Sequence, residues 1–169
     1  MPVPKPMRVQ QQMPAASLPK PTFLDALPHL HKDLQSYGHY FIEGKRKEAV
    51  GAAFGRVENR LNEIRDSSPV ASVSSAIGVS VVHKLFASGI LDLPYPMLSQ
   101  GNPRSQEAYR EQIRGFLSSG VGWFRNSFSH EPHNLPELSE WEALELLFIA
   151  SHMLKLIDLS LMRARTRQP

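Results

Sequence analysis

The feature that most constrains this chain is the run WEALELLFIASHMLKLIDLSLM at residues 141–162. Apolar side chains recur there at helical spacing and nearly all the way round. The helix it forms must therefore be buried on more than one side, by neighbouring helices or by a second copy of the protein. Its start is marked by Ser139 with Glu142 three residues on, the pattern in which a hydroxyl and a carboxylate satisfy two orphan backbone amides. The helix is expected to run to about Arg163.

Such a helix needs partners, and the sequence supplies them. After Gly38, the stretch HYFIEGKRKEAVGAAFGRVENRLNEIRD sets Ala49, Ala52, Ala53, Val57, Leu61 and Ile64 on one stripe with most charges off it, which predicts an amphipathic helix. Phe23, Leu24, Leu27, Leu30 and Leu34 predict a first helix through PTFLDALPHLHKDLQSYG, with Pro28 tolerable only near a start or at a break. IGVSVVHKLFAS, residues 77–88, reads as a short helix ended by Gly89, a strand being the competing assignment. From Ser105 to about Trp123 helical spacing returns with Tyr109, Ile113, Phe116, Leu117 and Val121. Gly115, Ser118, Ser119, Gly120 and Gly122 on that helix let another backbone come close. SSPVASVSS and the proline-rich LDLPYPMLSQGNPRS read as loops, with Leu91, Leu93, Tyr95 and Met97 packing under the second. The fold class is thus an all-α bundle of about five helices over residues 22–164. Residues 1–21, rich in proline and glutamine, are expected to be a disordered tail, and residues 165–169 a basic C-terminal tail.

A chain of 169 residues suits one domain of this kind plus tails. The absence of cysteine removes disulfides, thiolate metal sites and a cysteine nucleophile, and fits a reducing cytoplasm. No apolar run reaches the roughly 18–20 residues that span a bilayer, and MPVPKPMRVQQQMPAASLPKP lacks the apolar block of a secretory signal; a cytoplasmic protein without membrane contact is expected. The net charge of +3 hints at nucleic acid, but its placement weakens the hint. Lys5, Arg8 and Lys20 lie in the first 21 residues, and residues 22–169 carry 16 basic against 16 acidic side chains. Arg163, Arg165 and Arg167 close the chain, so the body is neutral to mildly acidic. Any RNA contact has to come from a local cluster, a dimer groove or the tails.

One local cluster stands out. WFRNSFSHEPH, residues 123–133, gathers Arg125, Asn126, His130 and His133 between the two most apolar helices. Arginine offers a planar fork of donors that matches phosphate oxygens, and histidine exchanges a proton near neutral pH. Together they suit attack of a ribose 2′-hydroxyl on the adjacent phosphorus, with arginine stabilising charge as it develops. The bland reading of the same pair is a helix-end cap bonding loop carbonyls. A metal is not expected: Pro132 interrupts helical register between His130 and His133, and no third ligand is evident. His39, His83 and His152 read as packing or interface histidines, and the glycines of GFLSSGVG follow no strand and make no phosphate loop.

The segment Arg125-Asn126-Ser127-Phe128-Ser129-His130 resembles the signature of HEPN domains, α-helical domains of prokaryotic toxin and abortive-infection systems. More narrowly the chain is similar to the Ymh-type branch, a family of bacterial and phage proteins. The resemblance spans about residues 36–162 through four ordered blocks: SYGHYFIEGKRKEAVGAAFGRVENRLNEI, VVHKLFASGILDLP, QIRGFLSSGVGWFRNSFSHE and EALELLFIASHMLKLID. It implies a HEPN-like bundle that dimerises through the motif-bearing face, so that Arg125 and His130 of both copies line one cleft. It also implies a metal-independent, cofactor-free endoribonuclease of a phage-defence or toxin–antitoxin system, leaving a 2′,3′-cyclic phosphate and a 5′-hydroxyl. RNA is the implied substrate and an antitoxin or defence-system protein the implied partner. On this reading Arg125 holds the scissile phosphate, His130 is general acid or base, and Asn126 and Glu131 support them. Ser127 and Ser129 depart from the proline and alanine usual in the branch. Pro132 replaces the tyrosine that some HEPN members present for modification. The alternative is a non-catalytic HEPN-like module for dimerisation or for binding a partner or nucleotide.

Overall fold

A computed structural model describes residues 22–92, 103–130 and 137–166. Their regular structure is all helical, and no strand occurs among them. The expected tail 1–21 and Arg167–Pro169 lie outside the described residues, as do Leu93, Tyr95 and Met97.

The predicted first helix is in fact a broken path. Helix α1, Phe23–Ala26, opens on a capping box in which Asp25 N donates to Thr22 Oγ1 at 3.3 Å and Thr22 N to Asp25 Oδ2 at 3.0 Å. Pro28 has no N–H to continue the ladder, and Leu27–His29 tighten into a 3₁₀ turn that ends at an extended Leu30. Helix α2, Lys32–Gln35, restarts with His31 as its cap, the imidazole Nδ1 accepting from Asp33 N at 3.2 Å. The second predicted helix is also divided. Helix α3, Gly38–Ile42, stops at Gly44, whose φ of +73° suits glycine alone, and α4, Arg46–Asp66, follows. Its buried seam is Ala49, Val50, Ala53, Phe54, Val57, Leu61 and Ile64; Ala52 is only half-buried.

Beyond α4, the stretch read as loop contains a short helix α5, Ala71–Ser74, anchored by buried Val73. The next segment is a helix and not a strand: α6, Val79–Ala87, buries Val81, Val82 and Leu85 and is followed by Gly89 at φ +71°. Helix α7, Pro103–Phe124, starts two residues before the expected Ser105, with proline in the first turn where a missing N–H costs nothing. Helix α8, Glu140–Thr166, begins at the expected cap: Ser139 N donates to Glu142 Oε2 at 2.8 Å, and Glu142 N to Ser139 Oγ at 3.2 Å.

Helix α4 is the hub, packed most extensively on α8 and also on α6 and α7. Among the small residues of α7, Gly120 admits Met153 of α8, since a Cβ there would stand 2.7 Å from Met153 Cε. Gly122 faces Val79 of α6, whereas Gly115 meets nothing within 4 Å.

A polar clamp ties α2, α4 and α8 together. Buried His31 donates from its backbone N to Ser151 Oγ at 2.7 Å, and its ring Nε2 lies 3.0 Å from Asp158 Oδ2. With Nδ1 occupied as an acceptor, Nε2 carries the proton and donates to the carboxylate. Arg60 Nη2 donates to the other oxygen of Asp158 at 3.1 Å. Burial disfavours the charged form of Asp158, but the bonds from His31 and Arg60 and the charge of Arg60 outweigh it and hold the carboxyl below its ordinary value. The stabilisation is complete above the ordinary aspartate value of 3.8 and is lost as pH falls through the lower value of the folded protein. Asp158→Ala leaves the His31 donor unmatched in a buried place and is expected to cost about 1–2 kcal/mol at neutral pH. Urea denaturation at pH 7 and at pH 3 checks this, the gap between wild type and variant shrinking at the lower pH.

Candidate functional site

Helix α7 ends at Phe124, and the next six residues, Arg125–His130, wind as a π-helical turn. Such turns are rare and collect at functional places. Aromatic packing supports this one. The Phe128 ring stacks on Phe124 with centroids 5.5 Å apart and meets Trp123 edge-on at 5.6 Å. Phe124 in turn lies parallel to Phe54 of α4 at 5.8 Å. Gly51, one turn before Phe54, leaves the notch that Phe128 enters: a Cβ at Gly51 would stand 3.4 Å from Phe128 Cδ1.

The winding changes what the spacing of the motif means. Residues 125 and 130 would lie roughly 140° apart around an α-helix of 3.6 residues per turn. In a π turn, whose bonds close from i to i+5, the two positions are a single turn apart. The backbone thus sets Arg125 at the start and His130 at the end of one turn. Asn126, the next position on that turn, is exposed. The side chain of His130 falls outside the described side chains, and Glu131, Pro132 and His133 lie outside the described residues.

Arg125 is half-buried against two elements. Its Nη1 is 3.6 Å from Oε1 of Glu58 on α4, close enough for Coulomb attraction and too long for a hydrogen bond. The same guanidinium lies over Gly78, where any Cβ would collide with Nη1. Gly78 also has φ +60°, a second reason that only glycine suits the place. Gly78 immediately precedes α6, so the cationic group sits by the positive end of a helix, an arrangement relieved by an anion. Glu58 provides part of that relief.

Sequence reading did not find Glu58, Gly78 or Gly51. Gly78 fell inside the helix expected over residues 77–88, which in fact begins at Val79 with Gly78 as its cap; Glu58 is one charge among many on the polar face of α4 and had no signal. His39, His83 and His152, expected as packing or interface residues, are all exposed. His39 Nδ1 donates to Ser36 O at 2.8 Å with its ring 4.0 Å from that of Tyr40. His83 Nε2 is 3.4 Å from Ser118 Oγ, and the His152 ring is 5.8 Å from that of Phe116. Among the described residues no three His, Asp or Glu side chains gather as a metal site, and no helix is long and apolar enough to cross a membrane.

One family model, described as "Protein of unknown function (Hypoth_ymh)", matches residues 29–157, a span that includes the whole π turn and its supports on α4 and α6. No curated protein matches, and no solved structure matches.

Proposed function

We propose a function for this chain, which belongs to the Hypoth_ymh family, as a metal-independent endoribonuclease of a prokaryotic defence or toxin system. The observation that supports it is the π turn Arg125–His130, which sets the two motif positions one turn apart while Glu58 and Gly78 hold the guanidinium at the head of α6. In this reading Arg125 binds non-bridging oxygens of a phosphodiester through its fork of donors. His130 takes the proton of the ribose 2′-hydroxyl as that oxygen bonds to phosphorus, and His130 of the partner subunit gives a proton to the departing 5′-oxygen. The products are a 2′,3′-cyclic phosphate and a 5′-hydroxyl, with no net consumption of protons. Asn126 and Glu131 would orient the pair, the bundle would be HEPN-like, and a homodimer would complete the cleft.

A second reading draws on the Arg125–Glu58 contact itself. An arginine already neutralised by a carboxylate and seated on glycine serves equally to stiffen a non-catalytic module that recruits a partner or nucleotide. The experiment is cleavage of end-labelled single-stranded and transfer RNA by purified protein in EDTA, beside His130→Ala of the same oligomeric state. Cyclic-phosphate ends from wild type and none from the variant are expected; equal absence of products from both would favour the module.

A further inference from the structure

Helix α8 buries one side against α4 and leaves another open. Trp141, Glu145, Phe148, His152, Lys155 and Leu159 are all exposed, and they follow one another in alternating steps of four and three residues. That is the spacing of a seam that packs against another helix. Ile149 and Phe116 of α7, both exposed, widen the seam on one flank, where the Phe116 and His152 rings are 5.8 Å apart. Exposed apolar side chains gathered into a strip of this kind mark an interaction surface.

The charges on the seam match those of a second, antiparallel copy. Taken from Ala150, which is buried on the opposite side of α8, the seam is symmetric: Phe148 and His152 are equidistant from it, then Glu145 and Lys155, then Trp141 and Leu159. A two-fold axis through the height of residue 150 therefore lays a second, antiparallel α8 on the first in matching register. Glu145 then faces Lys155 of the partner subunit, and Lys155 faces Glu145 of the partner subunit. Trp141 meets an aliphatic Leu159, and Phe148 an imidazole, each pair occurring twice. An isologous contact requires this self-complementarity, and a parallel pairing would set Glu145 on Glu145. Lys155 donates to His29 O at 2.7 Å within its own chain; an ammonium has three donors, so it can keep that bond and add the carboxylate.

We propose that two copies of this chain pair antiparallel through the Trp141–Leu159 face of α8, held in register by Glu145–Lys155 pairs across the two-fold axis. The pairing is read independently of the proposed chemistry: assembly is read by mass, cleavage by products.

The test is sedimentation velocity on the full chain over a concentration series, with Glu145→Lys, Lys155→Glu and the double reversal, each verified as folded by circular dichroism. Wild type is expected to be a dimer, either single reversal to weaken it by about tenfold or more through two like-charge pairs, and the double reversal to restore it to within a few-fold. A monomeric wild type, or single reversals without effect, would overturn the proposal. Because Lys155 also holds His29, a second measurement avoids charge reversal. The chain has no cysteine, so Glu145→Cys chains mixed with Lys155→Cys chains should form a disulfide between copies on mild oxidation. Each variant alone should not, since in this register its own two cysteines lie ~15 Å apart along the helix axis. Crosslinking of Glu145→Cys with itself would show a different pairing and sink the register.

Discussion

Arg125→Ala is expected to reduce RNA cleavage in EDTA by about 10²- to 10³-fold, the loss that follows removal of one donor aimed at developing charge. Arg125→Lys should recover little of it. A lysine is a point charge on a flexible stem and cannot present the planar fork, and the space over Gly78 is shaped for a flat guanidinium. Stability should scarcely change in either variant. Among the described residues Arg125 pairs with Glu58 at 3.6 Å, and both side chains are partly solvated, so that pair contributes about 0–1 kcal/mol. The two readouts separate the readings. Loss of cleavage in a protein that melts normally supports a phosphate site, whereas a destabilised protein with no cleavage to lose would place Arg125 in the framework. Wild-type rates from Arg125→Ala would end the proposed role.

Phe124→Ala is expected to be the most damaging single change near the site, lowering stability by roughly 3–5 kcal/mol. For a domain of this size that is a fall in Tm on the order of 10 °C. The ring is 8% exposed and stacks on Phe54 on one side and Phe128 on the other, so its removal opens a cavity where α7 gives way to the π turn. Phe124→Leu refills most of the volume and should restore most of the stability. It cannot restore the ring stacking on Phe128, and should therefore leave RNA cleavage below wild type although the protein is folded. Thermal melts and cleavage rates measured on the same preparations check both parts. If Phe124→Ala melts within about 2 °C of wild type, the ring is not the support of the turn that its packing indicates.

Much of the fold was legible in the residues because helical periodicity is a local signal. The helices α4 and α7 and the Ser139–Glu142 cap of α8 each depend on neighbours within a turn or so and each appears as expected, although Ala52 of the α4 stripe is only half-buried and Phe116 of α7 is exposed while Leu117 and Val121 are buried. The first predicted helix failed for an equally local reason: the apolar spacing from Phe23 to Leu34 is helical, but Pro28 ends one ladder and the His31 ring caps another. The short helix α5 was missed because four residues have too little periodicity to show.

For the site, sequence alone brought forward Arg125 and His130 as the pair of interest and placed them between two apolar helices. It could not set their relation in space, because that rests on contacts between segments far apart in the chain. The π winding is supported by Phe54 and Gly51, some 70 residues upstream, and the position of the guanidinium by Glu58 and Gly78. The open face of α8 divides in the same way. Its residues and their symmetry about Ala150 are written in the sequence, whereas packing against α4 decided which side of an almost wholly apolar helix remained exposed. A helix with apolar groups all round carries no instruction about which face to bury, and only the surfaces offered by its neighbours can supply it.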